Sequence, residues 1–382
     1  MKEKLGLYIH IPFCQKKCHY CDFLTFIGHD EMIEKYVKYL NKEIEMYRDN
    51  DYILDTIYIG GGTPSYLEDE LMTSILDKVK KIFTIDDKCE ITIEMNPESV
   101  TEKKIQSYLK SGINRFSMGV QSFDDEVLKI MGRIHNRKTV IEKLDIMKKK
   151  GCQNISIDMM MANPKQDIEI LKKDLEIASS LDINHISYYS LILKEHTHFE
   201  MWFNEGKINL YDPKEERDMY HLVTNTLKEK GFNQYEISSF SKPGFESVHN
   251  QKYWNLKNYL GVGMGASANI NLVRTTNTRS FDEYFESIDN GEFPIVEREE
   301  LNTEMREKEY LMLNLRMLKG FEISDINSKF NIDFMKKYKD IVEKHSKNGI
   351  LEISENSVKF TEYGIDNGNM LFRDLYSLND FE

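Results

Sequence analysis

No apolar run in the 382 residues approaches the length of about 20 that crosses a bilayer. The segment from Met1 to His10 lacks the apolar stretch and small-residue cleavage site of a secretory signal. Both absences point to a chain made and kept in the cytoplasm. Positive charge is also short, with 51 Lys and Arg against 64 Asp and Glu, a formal net charge of −13. Nucleic-acid binding draws on Lys and Arg to displace phosphate counterions, so this balance argues against a nucleic-acid partner. Repeats and low-complexity tracts are absent. Cysteine is scarce at five, and an odd number in a reducing compartment argues against a disulfide framework. What is present, 40% hydrophobic and 11% aromatic residues, suffices for a sizeable core.

Strand-like and helix-like segments alternate over the first half. Leu5–Ile11, Thr56–Ile59, Glu90–Glu94, Arg115–Val120, Ile155–Met161 and Ile186–Leu193 read as strands. Between them lie amphipathic stretches such as Met32–Tyr47, with Ile33, Tyr36, Val37, Leu40, Ile44 and Tyr47 at helical spacing. Six β/α units imply a parallel sheet covered by helices, with functional residues at the carboxyl ends of the strands. Six are too few for an eight-fold barrel, so the expectation is an α/β fold, a partial (β/α)6 barrel. Residues 1–240 are assigned to it, 241–300 to a connecting segment rich in Gly, Asn and aromatics, and 301–382 to a small C-terminal α+β domain. That last part, helices followed by an Ile350–Ile353 and Val358–Thr361 hairpin, looks winged-helix-like.

Three cysteines, Cys14, Cys18 and Cys21, stand at C-x3-C-x2-C spacing directly after the first strand. Three thiolates on one loop can hold three irons of a [4Fe–4S] cube and leave the fourth open. A zinc site completed by His10, His19 or His29 is the alternative. Cys89 and Cys152 are isolated and read as buried hydrophobes. Gly60-Gly61-Gly62-Thr63-Pro64 follows the second strand. Its glycines let the backbone approach a ligand, and its N–H groups can meet a carboxylate. Glu94 and Gln121 end the third and fourth strands, and Arg133 follows in Met-Gly-Arg-Ile-His135. Asp158 interrupts an apolar strand, where a lone acid is costly without a partner.

The Cys-x3-Cys-His-Tyr20-Cys segment resembles the radical S-adenosylmethionine (SAM) family signature. The similarity extends to Tyr8-x-His-Ile-Pro-Phe-Cys14, Gly-Gly-Gly-Thr-Pro64, Glu94-x-Asn-Pro97 and Gly-Val-Gln121-Ser. Within that family the chain is most similar to oxygen-independent coproporphyrinogen III oxidase and its relatives. The resemblance implies a [4Fe–4S] cluster on Cys14, Cys18 and Cys21. It also implies SAM contacts from Tyr8, Gly61, Gly62, Thr63, Glu94, Gln121, Arg133 and Asp158. One departure follows Asp158: Ala162-Asn-Pro-Lys-Gln166 stands where the family has Gly-Leu-Pro-x-Gln.

Two branches compete. In the oxidase branch a further cysteine follows the cluster by two positions, where this chain has Phe23, and a longer arm precedes the cluster than the 13 residues here. Val248-His249-Asn250-Gln-Lys-Tyr253-Trp254 resembles the His-Asn-x-x-Tyr-Trp motif of the haem-chaperone branch. If helical, it sets His249 and Tyr253 on one face, with His249 as an axial ligand, Asn250 orienting the imidazole, and Tyr253 and Trp254 offering flat surface to a porphyrin. The resemblance therefore implies a haem chaperone that uses the cluster and SAM to govern haem transfer, rather than an enzyme. The alternative is a coproporphyrinogen III dehydrogenase that decarboxylates propionates in haem biosynthesis. Implied partners are haem and apo-haem proteins, respiratory cytochromes among them. Peripheral docking at a membrane and a homodimer are compatible with it. The Gly261-Val-Gly-Met-Gly265 run lacks the dinucleotide-binding spacing and reads as a backbone turn.

Overall fold

The computed structural model describes residues 3–48, 51–271 and 273–377; the last five residues of the expected C-terminal domain lie outside the described residues. Six strands run parallel and adjacent in chain order: β1 (Lys4–Ile11), β2 (Ile53–Gly61), β3 (Thr84–Met95), β4 (Arg115–Gln121), β5 (Ile155–Met161) and β6 (His185–Ser190). The crossovers carry α1 (Ile33–Glu45), α2 (Asp69–Ile82), α3 (Glu102–Lys110), α4 (Asp125–Ile130), α5 (Arg137–Lys149) and α6 (Ile168–Ser180). Local chemistry sets their ends. Thr101, Asp124, Asn136 and Asp167 each accept backbone N–H groups from the first turn of the helix they precede. Buried positions on α1, namely Tyr36, Val37, Leu40, Glu43 and Ile44, follow the helical period and pack on the sheet.

After β6 come α7 (His198–Asn204) and α8 (Pro213–Glu229), the latter opened by a capping box of Asp212 and Glu215. The hairpin β7 (Asn233–Glu236) and β8 (Ser239–Ser241) then pairs antiparallel with β6. The expected connecting segment is instead part of the sheet. Following α9 (Val248–Trp254), β9 (Tyr259–Val262) adds parallel to β1 on its free side. Strands β10 (Ser267–Ile270), β11 (Val273–Asn277) and β12 (Ile295–Glu300) continue antiparallel, with α10 (Phe281–Asp289) before β12. These strands are too short for alternation to show in the sequence. The glycine run makes their turn: a Cβ on Gly261 would meet the Ser267 carbonyl oxygen at 2.1 Å, and Gly263 and Gly265 have φ of +96° and +68°. The sheet of twelve strands stays open, with edges at β12 and β7.

The C-terminal part runs α11 (Thr303–Asn314), β13 (Phe321–Glu322), α12 (Ile323–Phe330), α13 (Phe334–Lys337), α14 (Lys339–Lys347), β14 (Leu351–Ile353), β15 (Ser357–Phe360) and α15 (Glu362–Ser377). Helix, strand, helices and hairpin follow in winged-helix order around a separate core that includes Leu311, Phe321, Ile326, Phe334, Val358 and Leu371.

Candidate metal and cofactor site

The cysteine loop leaves β1 and is tied at both ends. Near its start, Cys14 N–H donates to Phe26 O at 3.1 Å and Phe26 N–H to Pro12 O at 2.7 Å. In its middle, His19 N–H donates to Met131 O at 2.9 Å, and its Nδ1 meets Ile130 O at 2.8 Å. Cys14 Sγ lies 3.2 Å from Thr63 Oγ1, and Arg133 donates to Cys18 Sγ at 3.3 Å. Burial pushes the Cys14 thiol up to about 12 and the Cys21 thiol to about 11. Metal coordination is what would hold them as thiolates. A tetrahedral zinc would need donors about 3.8 Å apart. Among the described residues, no group of three ligand atoms that includes one of these sulfurs falls within 4.8 Å of one another. All three cysteines line one cavity wall, an arrangement compatible with a cluster held on three thiolates. His10, one of the zinc candidates, is instead buried between Tyr8 Oη and Leu24 O.

One cavity of about 350 Å³ joins the loop to the barrel interior. Cys14, Cys18, Cys21, Gly61, Gly62, Thr63, Glu94, Gln121, Arg133 and Asp158 all line it. The close packing of the glycine loop explains its composition. A Cβ on Gly61 would meet the His10 ring at 2.6 Å, and one on Gly62 would meet Phe13 O at 2.7 Å. Glu94 accepts from Tyr58 Oη at 2.7 Å and Gly61 N–H at 3.2 Å, and burial still pushes it up to about 7. Burial also raises Asp158, opposed by Ser187 and Arg115 and by Ser117 Oγ, which donates to it at 3.0 Å. Arg133 is fixed by Asn96 Oδ1 at 2.7 Å and Gly119 O at 2.6 Å. Gln121 sits at φ +69°, a left-handed conformation rare for a side chain this size and typical of constrained sites.

Tyr8 is not brought to this cavity. It lines a neighbouring polar cleft of about 370 Å³ with His10, Tyr253 and Arg279. Phe23, 60% exposed, stands in the wall of both. Ala162, in the departure after Asp158, is left-handed at φ +58°, a conformation that glycine adopts freely. The turn is held by buried amides: Gln166 Oε1 accepts from Asn163 N–H at 3.2 Å, and Gln166 Nε2 donates to Met160 O and Asp174 Oδ2, both at 3.1 Å.

The His-Asn-x-x-Tyr-Trp segment is helical, as α9, and sits under the amino end of the barrel. Glu90 accepts the Val248 and His249 N–H groups, and Lys252 pairs with Asp55 at 2.7 Å. His249 is fully buried. Its Nδ1 meets Thr56 Oγ1 and its Nε2 meets Tyr253 Oη, both at 2.8 Å, and burial pushes it down to about 3. The expected orienting role of Asn250 therefore falls to Thr56 and Tyr253, because Asn250 is one position round the helix. Asn250 lines the cavity floor instead. Trp254 lies outside that cavity, its ring under the Arg316 guanidinium at 4.6 Å.

Sequence reasoning missed Tyr58, Asn96, Arg115, Ser117, Ser187 and Tyr189, which also line the cavity. The signal was available on β4, where Arg115, Ser117, Gly119 and Gln121 alternate with Phe116, Met118 and Val120, the period that turns every second residue inward.

Residues 8–178 match the model of the Radical SAM superfamily, and residues 302–366 match that of the HemN C-terminal domain. The chain is 33% identical over 368 residues to the heme chaperone HemW of Bacillus subtilis (strain 168), covering 96% of this chain and 97% of the relative. It is 34% identical to the heme chaperone HemW of Escherichia coli (strain K12) over 285 residues, 72% of this chain and 74% of that one. Its fold is similar to that of coproporphyrinogen III oxidase (HemN) from Escherichia coli, with a TM-score of 0.84 at 21% identity, covering 98% of this chain and 89% of the other.

Proposed function

From the premise that the chain belongs to the HemW family of the radical SAM superfamily, we propose that it is a cytoplasmic haem chaperone that delivers haem to apo-haem proteins. No helix among the described residues is long and apolar enough to cross a membrane, so service to membrane cytochromes would be peripheral. The observation that carries the reading is one cavity that runs from the three cysteines to Asn250 of α9, the residue next to His249, which itself lies outside the lining. Cys14, Cys18 and Cys21 would hold the cluster, and Gly61, Gly62, Thr63, Glu94, Gln121, Arg133 and Asp158 would hold SAM. When bound, the pair supplies one-electron chemistry or, in a carrier, a ligand-dependent signal. The chain's own part is to orient. Arg133 fixes Cys18, Tyr58 fixes Glu94, and Phe23 presents an exposed aromatic face at the mouth where the oxidase branch has a cysteine.

In this reading His249 is the axial ligand, and its burial sets a condition. Nε2 is occupied by Tyr253 Oη, so ligation displaces that hydroxyl. The test is an anaerobic haem titration of the cluster-loaded chain followed at the Soret band. Saturable one-to-one binding is expected, weakened in His249→Ala and strengthened in Tyr253→Phe, which leaves Nε2 without its partner. Absence of specific binding, with coproporphyrinogen turnover in its place, would overturn the chaperone reading. Size-exclusion chromatography with and without SAM decides whether the carrier is a homodimer.

A further inference from the structure

The deep end of the cavity carries a charge that the expected cofactors do not use. Arg115 opens β4, is 1% exposed and lines the cavity. Its Nε has no hydrogen-bond partner, and no described residue forms a hydrogen bond or ion pair with its guanidinium. A buried cation without acceptors is costly, and in a native protein it calls for a ligand or a structural reason. Sheet register places it below the SAM residues. Arg115 is level with Thr92, whereas Glu94 is level with Ser117, one layer nearer the cysteine loop, and Asp158 with Gly119, two layers nearer. Both carboxylates feel its charge, yet neither comes within ion-pair distance. Across the floor stands Asn250, on the helix that carries His249. A planar guanidinium matches a carboxylate with two parallel N–H donors.

We propose that Arg115 receives a propionate carboxylate of haem at the floor of the cavity, with Asn250 beside it as a second donor. The inference rests on the haem reading above and adds the group that would select a tetrapyrrole by its acid side chains. Arg115 would then answer the acid side chains, a feature of haem that a plain hydrophobic pocket ignores.

The test compares iron protoporphyrin IX with its dimethyl ester as ligands of the cluster-loaded full chain. The diacid is expected to bind the wild type at least about tenfold tighter, the usual size of a charge-assisted pair. In Arg115→Met that preference should fall to within about twofold, through loss for the diacid alone, and Arg115→Lys should retain part of it. A structural role would weaken both ligands alike and leave the ratio unchanged. Equal binding of diacid and diester by the wild type overturns the proposal while leaving the carrier function standing. So does a tenfold preference that persists in Arg115→Met. If Arg115→Met does not fold, the wild-type ratio and Arg115→Lys still decide. Failure of both ligands to bind overturns the haem reading itself.

Discussion

Replacing Ala162 by glycine should cost almost nothing, although the same change in a buried helix should be plainly damaging. Ala162 is 6% exposed and left-handed, at φ +58°. For an L-residue that conformation costs about 1–2 kcal/mol, which glycine recovers. Against it stand about 0.4–1 kcal/mol for glycine's freedom in the unfolded chain and about 0.8 kcal/mol for the buried methyl. The terms nearly cancel, so Ala162→Gly should lie within about 0.5 kcal/mol of the wild type on these figures. Ala178, in α6, is fully buried in ordinary helix. There glycine loses about 1 kcal/mol of helix propensity and the same methyl, about 2 kcal/mol together. Urea unfolding of the two variants, with unchanged slope, reads the difference as a shift in midpoint. SAM affinity should stay within twofold in Ala162→Gly, because Asn163 and Gln166 hold the turn. Equal losses in the two variants would refute the claim that this strand end stores strain.

Gly62→Ala would set a methyl 2.7 Å from Phe13 O and 2.9 Å from Ile11 O, both backbone, and push the glycine loop off the cysteine loop; iron content after reconstitution should fall by more than half, and full loading would contradict the packing argument. Asp174→Ala removes the acceptor of Ser122 Oγ, Phe123 N–H and Gln166 Nε2; leaving three buried donors unpaired should cost about 3–5 kcal/mol of unfolding free energy, and a loss under about 1 kcal/mol would refute it. Burial raises Glu43 from 4.5 to about 7, although Tyr284, Gly263 and Asn277 donate to it. The folded chain therefore holds that proton more tightly than the unfolded one. This contribution is complete below 4.5 and lost as pH rises through about 7, a fall on the order of 3 kcal/mol. Unfolding midpoints from about pH 4.5 to pH 8 should show that fall in the wild type and a flatter profile in Glu43→Gln.

The barrel strands were legible as short apolar or alternating runs between helical stretches, and Asp158 stood out against the apolar run of β5. The cysteine loop and Gly60–Pro64 were legible because their chemistry is local, carried by spacing along a few residues. Non-local chemistry was not. Nothing in the spacing of Val248–Trp254 says that Thr56, 193 residues upstream, occupies one nitrogen of His249, or that Glu90 caps the helix. Likewise, Arg115 reads as the polar start of a strand until the register sets it in the same cavity as Asn250. The strands β9–β12 escaped because two to three alternations carry too little signal, and their order, with β9 parallel to β1, is decided by tertiary packing.

Helix α9 is the wall that the two halves of the molecule share. On one side His249 and Asn250 meet the barrel; on the other, Trp254 meets Arg316, which follows α11. Tyr235 Oη accepts from Ser247 N–H at the start of α9 and lies 2.8 Å from His185 Nε2, while Leu318 N–H donates to Tyr235 O. A ligand that draws His249 away from Tyr253 or Thr56 must either turn the imidazole in place or move a helix of seven residues. Moving the helix disturbs the Trp254–Arg316 contact and the Tyr235 junction together. If the helix moves, binding at His249 and the position of the C-terminal part become energetically linked, and linkage runs both ways. In that case a contact that shifts the C-terminal part would change the hold on His249 by the same free energy with which a ligand on His249 would shift that contact.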